Sequence, residues 1–110
     1  MMLYIKIILI SIIPILAFGQ DYYFDETKNS YSELSLYKNK TFSYTEESSK
    51  GEILLEITGT YKMSGKALIG NGWDSVSNSK VKLEIYLKSD YATVVIAGRK
   101  EKTLMKDEFY

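Results

Sequence analysis

Strict alternation of apolar and polar residues is the feature that most constrains how this chain can fold. Residues 81–88 read VKLEIYLK, so every second side chain is apolar. Successive side chains of a strand point to opposite faces, and the pattern therefore predicts a strand with one buried and one wet face. Residues 52–63 show the same spacing. The predicted core contains the residues Ile53, Leu55, Ile57, Val81, Leu83 and Ile85.

Turn-forming segments divide the rest of the chain into short runs. Polar loops are predicted at Glu46 to Gly51 and at Gly70 to Ser79, with tighter turns elsewhere. Gly59, inside the predicted strand 52–63, marks a bulge or a barrel corner. No helical apolar stripe of competing length follows Gln20. The sequence thus predicts an all-β fold, a single antiparallel up-and-down meander of about seven strands that forms a small barrel or a sandwich.

The first 19 residues have the pattern of a signal peptide. Lys6 precedes an almost wholly apolar run from Ile7 to Phe18, and small residues lie at Ala17 and Gly19. The sequence predicts cleavage between Gly19 and Gln20. The alternative is an uncleaved membrane anchor, but a spanning helix needs about 20 apolar residues and this run is shorter.

Export follows from that signal, and we expect a bacterial protein that is periplasmic or secreted. The mature chain is expected to have no membrane span. It begins with a polar lead-in at 20–32, in which a short strand is possible, and continues as one β domain at 33–110. The chain has no cysteine, so neither a disulfide nor a lipid-modified N-terminal cysteine is available. Its oligomeric state is left open.

Composition argues against several functional classes. Fourteen basic and 14 acidic residues balance, whereas nucleic-acid binding calls for a basic excess. The chain has no histidine, the most frequent general base and metal ligand. The adjacent acidic pairs at 25–26, 46–47 and 107–108 are interpreted as solvated charges. We therefore predict no enzyme activity, no cofactor, no metal site and no nucleic-acid partner.

Three aromatic residues and one serine are candidate functional residues. Trp73, Tyr37 and Tyr86 are a possible recognition surface, since Trp and Tyr dominate binding hot spots. The alternative is ordinary packing of aromatic rings on a sheet. Ser75, within Asp74-Ser75-Val76, matches a motif that some bacteria O-glycosylate on exported proteins, although an Asp-Ser turn explains the same residues.

The stretch from Leu34 to Leu68 carries a family resemblance. Its pattern is Leu34-x-Leu36-x-x-x-Asn39-x-x-Phe42-x-Tyr44, followed by Gly59-Thr60-Tyr61 and Gly65-x-x-Leu68. This pattern resembles that of small exported lipocalin-like domains. The resemblance implies a meander closing into a small barrel, together with a weak expectation of apolar ligands. This chain is shorter than a full lipocalin.

Two functional hypotheses follow. In the first, the domain binds a protein or an envelope polymer through its surface loops, above all the predicted loop at 70–79. In the second, it carries a small apolar ligand inside the barrel. A barrel of this size is only wide enough inside for side chains or one small ligand. We expect its large inward residues to fill that space, which favours the first hypothesis.

Overall fold

A computed structural model describes residues 21–107, which form eight strands. Their bounds are β1 Asp21–Glu26, β2 Ser30–Leu36, β3 Thr41–Ser48, β4 Ile53–Ser64, β5 Ala67–Asp74, β6 Ser79–Leu87, β7 Tyr91–Ile96 and β8 Lys102–Lys106. The proposed signal peptide and its cleavage site at Gly19 and Gln20 lie outside the described residues. Within residues 21–107 no helix is long and apolar enough to cross a membrane.

The strands close into an antiparallel up-and-down barrel. Each strand pairs with the next along the chain, and β8 pairs with β1 through Tyr23 opposite Lys106 and Phe24 opposite Met105. The prediction of an all-β antiparallel meander is confirmed, and the structure selects the barrel over the sandwich. β1 lies within the predicted polar lead-in. This short strand closes the barrel and brings the number of strands to eight rather than about seven.

The inward positions of the strands form one apolar core. Leu55, Ile57, Leu83 and Ile85 are buried, as predicted. The cluster comprises Tyr23, Leu34, Leu36, Phe42, Tyr44, Leu55, Ile57, Leu68, Leu83, Ile85, Ala92, Val94 and Leu104. Val81 packs against this cluster but is only partly buried.

The prediction that Ile53 belongs to the core is wrong. Its side chain is 43% exposed. Ile53 is the first residue of β4, and the pairing of β4 with β3 shifts register between Glu46 and Glu47, directly beside it. A register shift disrupts the local alternation of faces. The sequence spacing of two therefore does not carry Ile53 into the interior.

Two facing glycines let β4 and β5 approach closely. Gly59 pairs with Gly72, and a Cβ added to Gly59 would lie 2.1 Å from the carbonyl oxygen of Asn71. A Cβ on Gly72 would lie 2.6 Å from the carbonyl oxygen of Thr58. On the inner side, the Phe42 ring lies 3.0–3.1 Å from the Cβ positions of Gly70 and Gly72. The glycines thus remove side chains where the two backbones and a buried ring meet.

Two predicted loops are shorter than expected. β3 continues to Ser48, so the first half of the predicted loop 46–51 is strand. The predicted loop 70–79 is wrong for its larger part, because β5 runs to Asp74 and pairs with both β4 and β6. Glycine and asparagine are poor strand formers in general, but here the glycines are required by close approach.

Asp74 explains why the β5–β6 connection is only 75–78. Its buried carboxylate accepts hydrogen bonds from the backbone amides of Glu56, Val76 and Ser77, at 3.0, 3.1 and 3.3 Å, and from the Ser77 hydroxyl at 2.7 Å. Burial acts to raise the pKa of Asp74, but these hydrogen bonds outweigh it and hold the pKa below its usual value. The ionised side chain therefore builds the turn.

Candidate functional site

The outer face of β4, β5 and β6 carries two parallel rows of polar and aromatic side chains. In one row Thr58 pairs with Trp73, which pairs with Lys80; in the next, Thr60 pairs with Asn71, which pairs with Lys82. Directly opposed side chains on adjacent strands have Cβ atoms about 4.5–5.5 Å apart. We call these six residues, Thr58, Thr60, Asn71, Trp73, Lys80 and Lys82, the outer groove.

The outer groove is open to solvent. Its volume is about 640 Å³, and its floor includes the backbone of Gly59, Gly72 and Val81. Trp73 is 45% exposed, and it is the only tryptophan in the chain. The Gly59–Gly72 pair lets β4 and β5 approach closely. The six side chains of the outer groove lie on these paired strands and on β6, not on loops.

The charge of the outer groove is positive. Lys80 and Lys82 lie on its β6 side, and none of the residues that line it is acidic. Within residues 21–107 neither lysine takes part in an ion pair. Charges of one sign that line a concave surface raise the local concentration of oppositely charged ligands.

The side-chain chemistry of the groove suits binding rather than catalysis. The indole of Trp73 offers a broad apolar face, and the hydroxyl and amide groups of Thr58, Thr60 and Asn71 both donate and accept hydrogen bonds. No group with an ordinary role as general base lines it. Across the described residues, His, Cys, Asp and Glu form no cluster of three that could hold a metal ion. The expectations of no catalysis, cofactor or metal stay predictions.

The three predicted recognition aromatics do not form one surface. Trp73 lies in the outer groove on β5, not on a loop. Tyr86 is also outward, at the far end of β6, six residues from Lys80 and so about 20 Å along the strand; its hydroxyl donates to Glu84 at 3.1 Å. Tyr37 follows β2, where its carbonyl oxygen accepts a hydrogen bond from the Tyr61 hydroxyl at 2.8 Å.

Ser75, the candidate for O-glycosylation, is exposed in the β5–β6 connection. Its hydroxyl donates to a carboxylate oxygen of Glu56 at 2.6 Å, and its backbone amide donates to the Glu56 carbonyl at 2.9 Å. The hydroxyl thus has a structural partner in the turn that Asp74 builds. Its modification stays a prediction.

A tyrosine–glutamate cluster covers the outer face of β1 and β2. The hydroxyls of Tyr22 and Tyr31 lie 2.9 Å apart, and both donate to the carboxylate of Glu33. Burial is the main cause that raises the pKa of both tyrosines far above the usual range. Both remain neutral donors at physiological pH, and the cluster is well suited to holding β1 against β2.

The acidic pair Glu46-Glu47 is not a pair of solvated loop charges. Both residues belong to β3, and Glu47 is buried. Glu46 accepts a hydrogen bond from the Tyr44 hydroxyl and lies 3.9 Å from the Arg99 guanidinium. Asp25, also read as solvated, lies in β1 with its carboxylate 3.8 Å from the Lys102 ammonium. These charges gather at one end of the barrel, near the β7–β8 turn.

Sequence reasoning missed most of the outer groove. Trp73 was identified, but Lys82 was seen only as part of the wet face of a strand, and Lys80 was not assigned to that face. One sequence signal was available. In residues 67–74 the glycines Gly70 and Gly72 fall at every second position, so the strand pattern continues past Gly70. Comparison with protein-family models, with curated proteins and with solved structures finds no match to this chain.

Proposed function

We propose that this domain is a non-catalytic binding protein that holds an acidic polysaccharide of the cell envelope or the extracellular space in its outer groove. One observation carries the proposal. The pairing register places an exposed indole, hydroxyl and amide groups and two lysines in one open groove whose lining includes no carboxylate. The surface for binding is then a strand face, not the loops expected from sequence.

The ligand class follows from the chemistry of these side chains. An acidic polysaccharide presents apolar ring faces, hydroxyl groups and carboxylates at short intervals along the chain. These groups match, in turn, the indole of Trp73, the polar side chains of the groove and the ammonium groups of Lys80 and Lys82. An open groove on the outer wall of the barrel also suits an extended chain better than a compact small molecule, which needs a deeper pocket.

The alternative of an apolar-ligand carrier has less support. Large side chains fill the centre of the barrel. The rings of Phe42 and Tyr44 are among them, and each residue is only 1% exposed. Close packing of this kind leaves no room for a lipid-sized chain. The end of the barrel near Glu46, Arg99 and Lys102 is charged, which is unfavourable for the entry of an apolar molecule.

Intrinsic fluorescence tests the proposal, because Trp73 is the only tryptophan. We expect water-exposed, red-shifted emission from the free protein and a saturable change on titration with polygalacturonate. Neutral dextran of similar length is expected to leave the emission unchanged. The affinity for polygalacturonate should fall as salt is added, because exposed charges are screened over about 10 Å at 0.1 M ionic strength.

Variants separate the groove from the rest of the surface. The double variant Lys80→Gln/Lys82→Gln is expected to weaken polygalacturonate binding about tenfold or more, since steering and contact charges are both lost. Tyr86→Phe, on the same strand but outside the groove, is the matched control and should bind normally. Absence of polygalacturonate binding at low salt, or tighter binding of oligothymidylate in the groove, would contradict the proposal.

We also propose that the protein is exported, with cleavage after Gly19. The support is the apolar run that ends at Ala17-Phe18-Gly19 before the polar Gln20. Intact-mass measurement of the protein from a bacterial host is expected to give a species that begins at Gln20. A mass that retains residues 1–19 after membrane fractionation would instead favour an uncleaved anchor.

A further inference from the structure

One end of the barrel interior is polar, in contrast to the apolar core. Asp25, Ser32 and Glu46 are paired across β1, β2 and β3 and share the inward face. Lys102 of β8 and Arg99 of the β7–β8 turn bring positive charge to the same end. A cavity of about 210 Å³ opens there, lined by Tyr44, Glu46, Val94, Ile96, Arg99, Lys100 and Lys102. We call it the mouth pocket.

The cations of the mouth pocket are incompletely paired. The nearest N–O distances are 3.9 Å for Arg99 to Glu46 and 3.8 Å for Lys102 to Asp25. Both exceed the usual range of hydrogen bonds, about 2.7–3.2 Å. The guanidinium and ammonium groups therefore keep donors free for another acceptor. Lys100 takes part in no ion pair with the residues described from 21 to 107.

Cations predominate in the lining of the mouth pocket. Arg99, Lys100 and Lys102 line it together with one carboxylate, that of Glu46. The Tyr44 hydroxyl donates a hydrogen bond to the Glu46 carboxylate. Burial, followed by this hydrogen bond, raises the pKa of Tyr44 well above its usual range, so its hydroxyl stays a donor.

A buried hydroxyl lies in the same layer. The Ser32 side chain is fully buried, and its hydroxyl lies close enough to that of Tyr44 to act on the pKa of Tyr44 as a hydrogen-bond donor, although the contact falls outside ordinary hydrogen-bond geometry. Ser32 pairs with Glu46 across the strands, which places it beside the mouth pocket.

We propose that the mouth pocket binds a small organic monocarboxylate, with the carboxylate on Arg99 and its neighbouring lysines and a short alkyl part on Val94 and Ile96. Arginine suits this role because its planar guanidinium donates two parallel hydrogen bonds to a carboxylate. The pocket is too small for a polymer and lies at the end of the barrel, apart from the outer groove. The site therefore stands or fails independently of the proposed polymer binding.

Butyrate is the probe. Titration of the ¹⁵N-labelled protein with millimolar butyrate is expected to shift the amide signals of residues 94–102 and of Tyr44 saturably. Arg99→Gln should weaken this binding tenfold or more. Lys106→Gln is the matched control, because Lys106, like Arg99, is a partly exposed cation close to a carboxylate. Its ammonium lies 3.8 Å from the carboxylate of Asp21, outside the mouth pocket.

Several outcomes would overturn the site. Butyrate shifts that do not saturate, or that persist in Arg99→Gln, would show that the mouth pocket is not the binding site. Equal shifts with inorganic phosphate at the same ionic strength would show general anion attraction instead of a carboxylate site. The amide spectrum of Arg99→Gln is measured first. Well-dispersed signals show that the variant is folded, so that a loss of binding cannot be due to unfolding.

Discussion

Replacing Ile85 with Asp is expected to unfold the domain. Ile85 is fully buried and pairs with Leu68 on one side and Val94 on the other, both members of the core. The substitution removes a large apolar side chain, which costs about 2–5 kcal/mol, and buries an unpaired carboxylate, which costs several more. A domain of this size is stable by only about 5–10 kcal/mol.

Glu84→Asp is the matched control for this prediction. It places the same carboxylate one residue earlier, on the outward face, and should change the free energy of unfolding by less than about 0.5 kcal/mol. Circular dichroism and urea denaturation of both variants measure the difference. Similar stability of the two variants would mean that the inward and outward faces of β6 are assigned wrongly.

Gly59→Ala is expected to be the most damaging of the small substitutions. Its added Cβ would lie 2.1 Å from the Asn71 oxygen and 2.5 Å from the Gly72 Cα, and both are backbone atoms that cannot rotate away. Overpacking of this kind costs about 3 kcal/mol. Because Gly59 also underlies the outer groove, the folded fraction of the variant should bind polygalacturonate more weakly.

Gly65→Ala separates steric overlap from backbone strain. Gly65 has φ of 65° and no atom within 4 Å of an added Cβ, so alanine there meets strain but no clash. That strain costs about 1 kcal/mol. Urea denaturation should therefore give a clearly larger loss for Gly59→Ala. Equal losses, or a larger loss at Gly65, would refute the close approach of β4 and β5.

Much of the fold can be predicted from the alternation of apolar and polar side chains, but the positions at which strands end cannot. Leu83 and Ile85 were predictable because an uninterrupted run of alternating residues has one possible inward face. Ile53 was not, because the pairing of β4 with β3 skips Leu54, and that register shift decides the environment of Ile53. The end of β5 was missed because glycine is read as a turn residue, whereas Gly72 is needed where two backbones meet.

The candidate sites were harder to predict for a related reason. The outer groove and the mouth pocket assemble residues from three or more strands, and their meeting depends on pairing register. Composition identified Trp73 as unusual but gave no reason to join it to Lys80. The adjacency of Glu46 and Glu47 suggested a solvated loop, although alternation within a strand sends the two carboxylates to opposite faces.

Amide chemical-shift mapping with a short acidic oligosaccharide, trigalacturonate, tests the central claim most directly. The account expects the largest shifts on β4, β5 and β6 at the outer groove, above all at Asn71, Trp73, Lys80 and Lys82, together with the indole N–H of Trp73. Residues 94–102 at the mouth pocket should change little. Shifts confined to the connecting loops or the barrel interior, or no shifts at low salt, would contradict it.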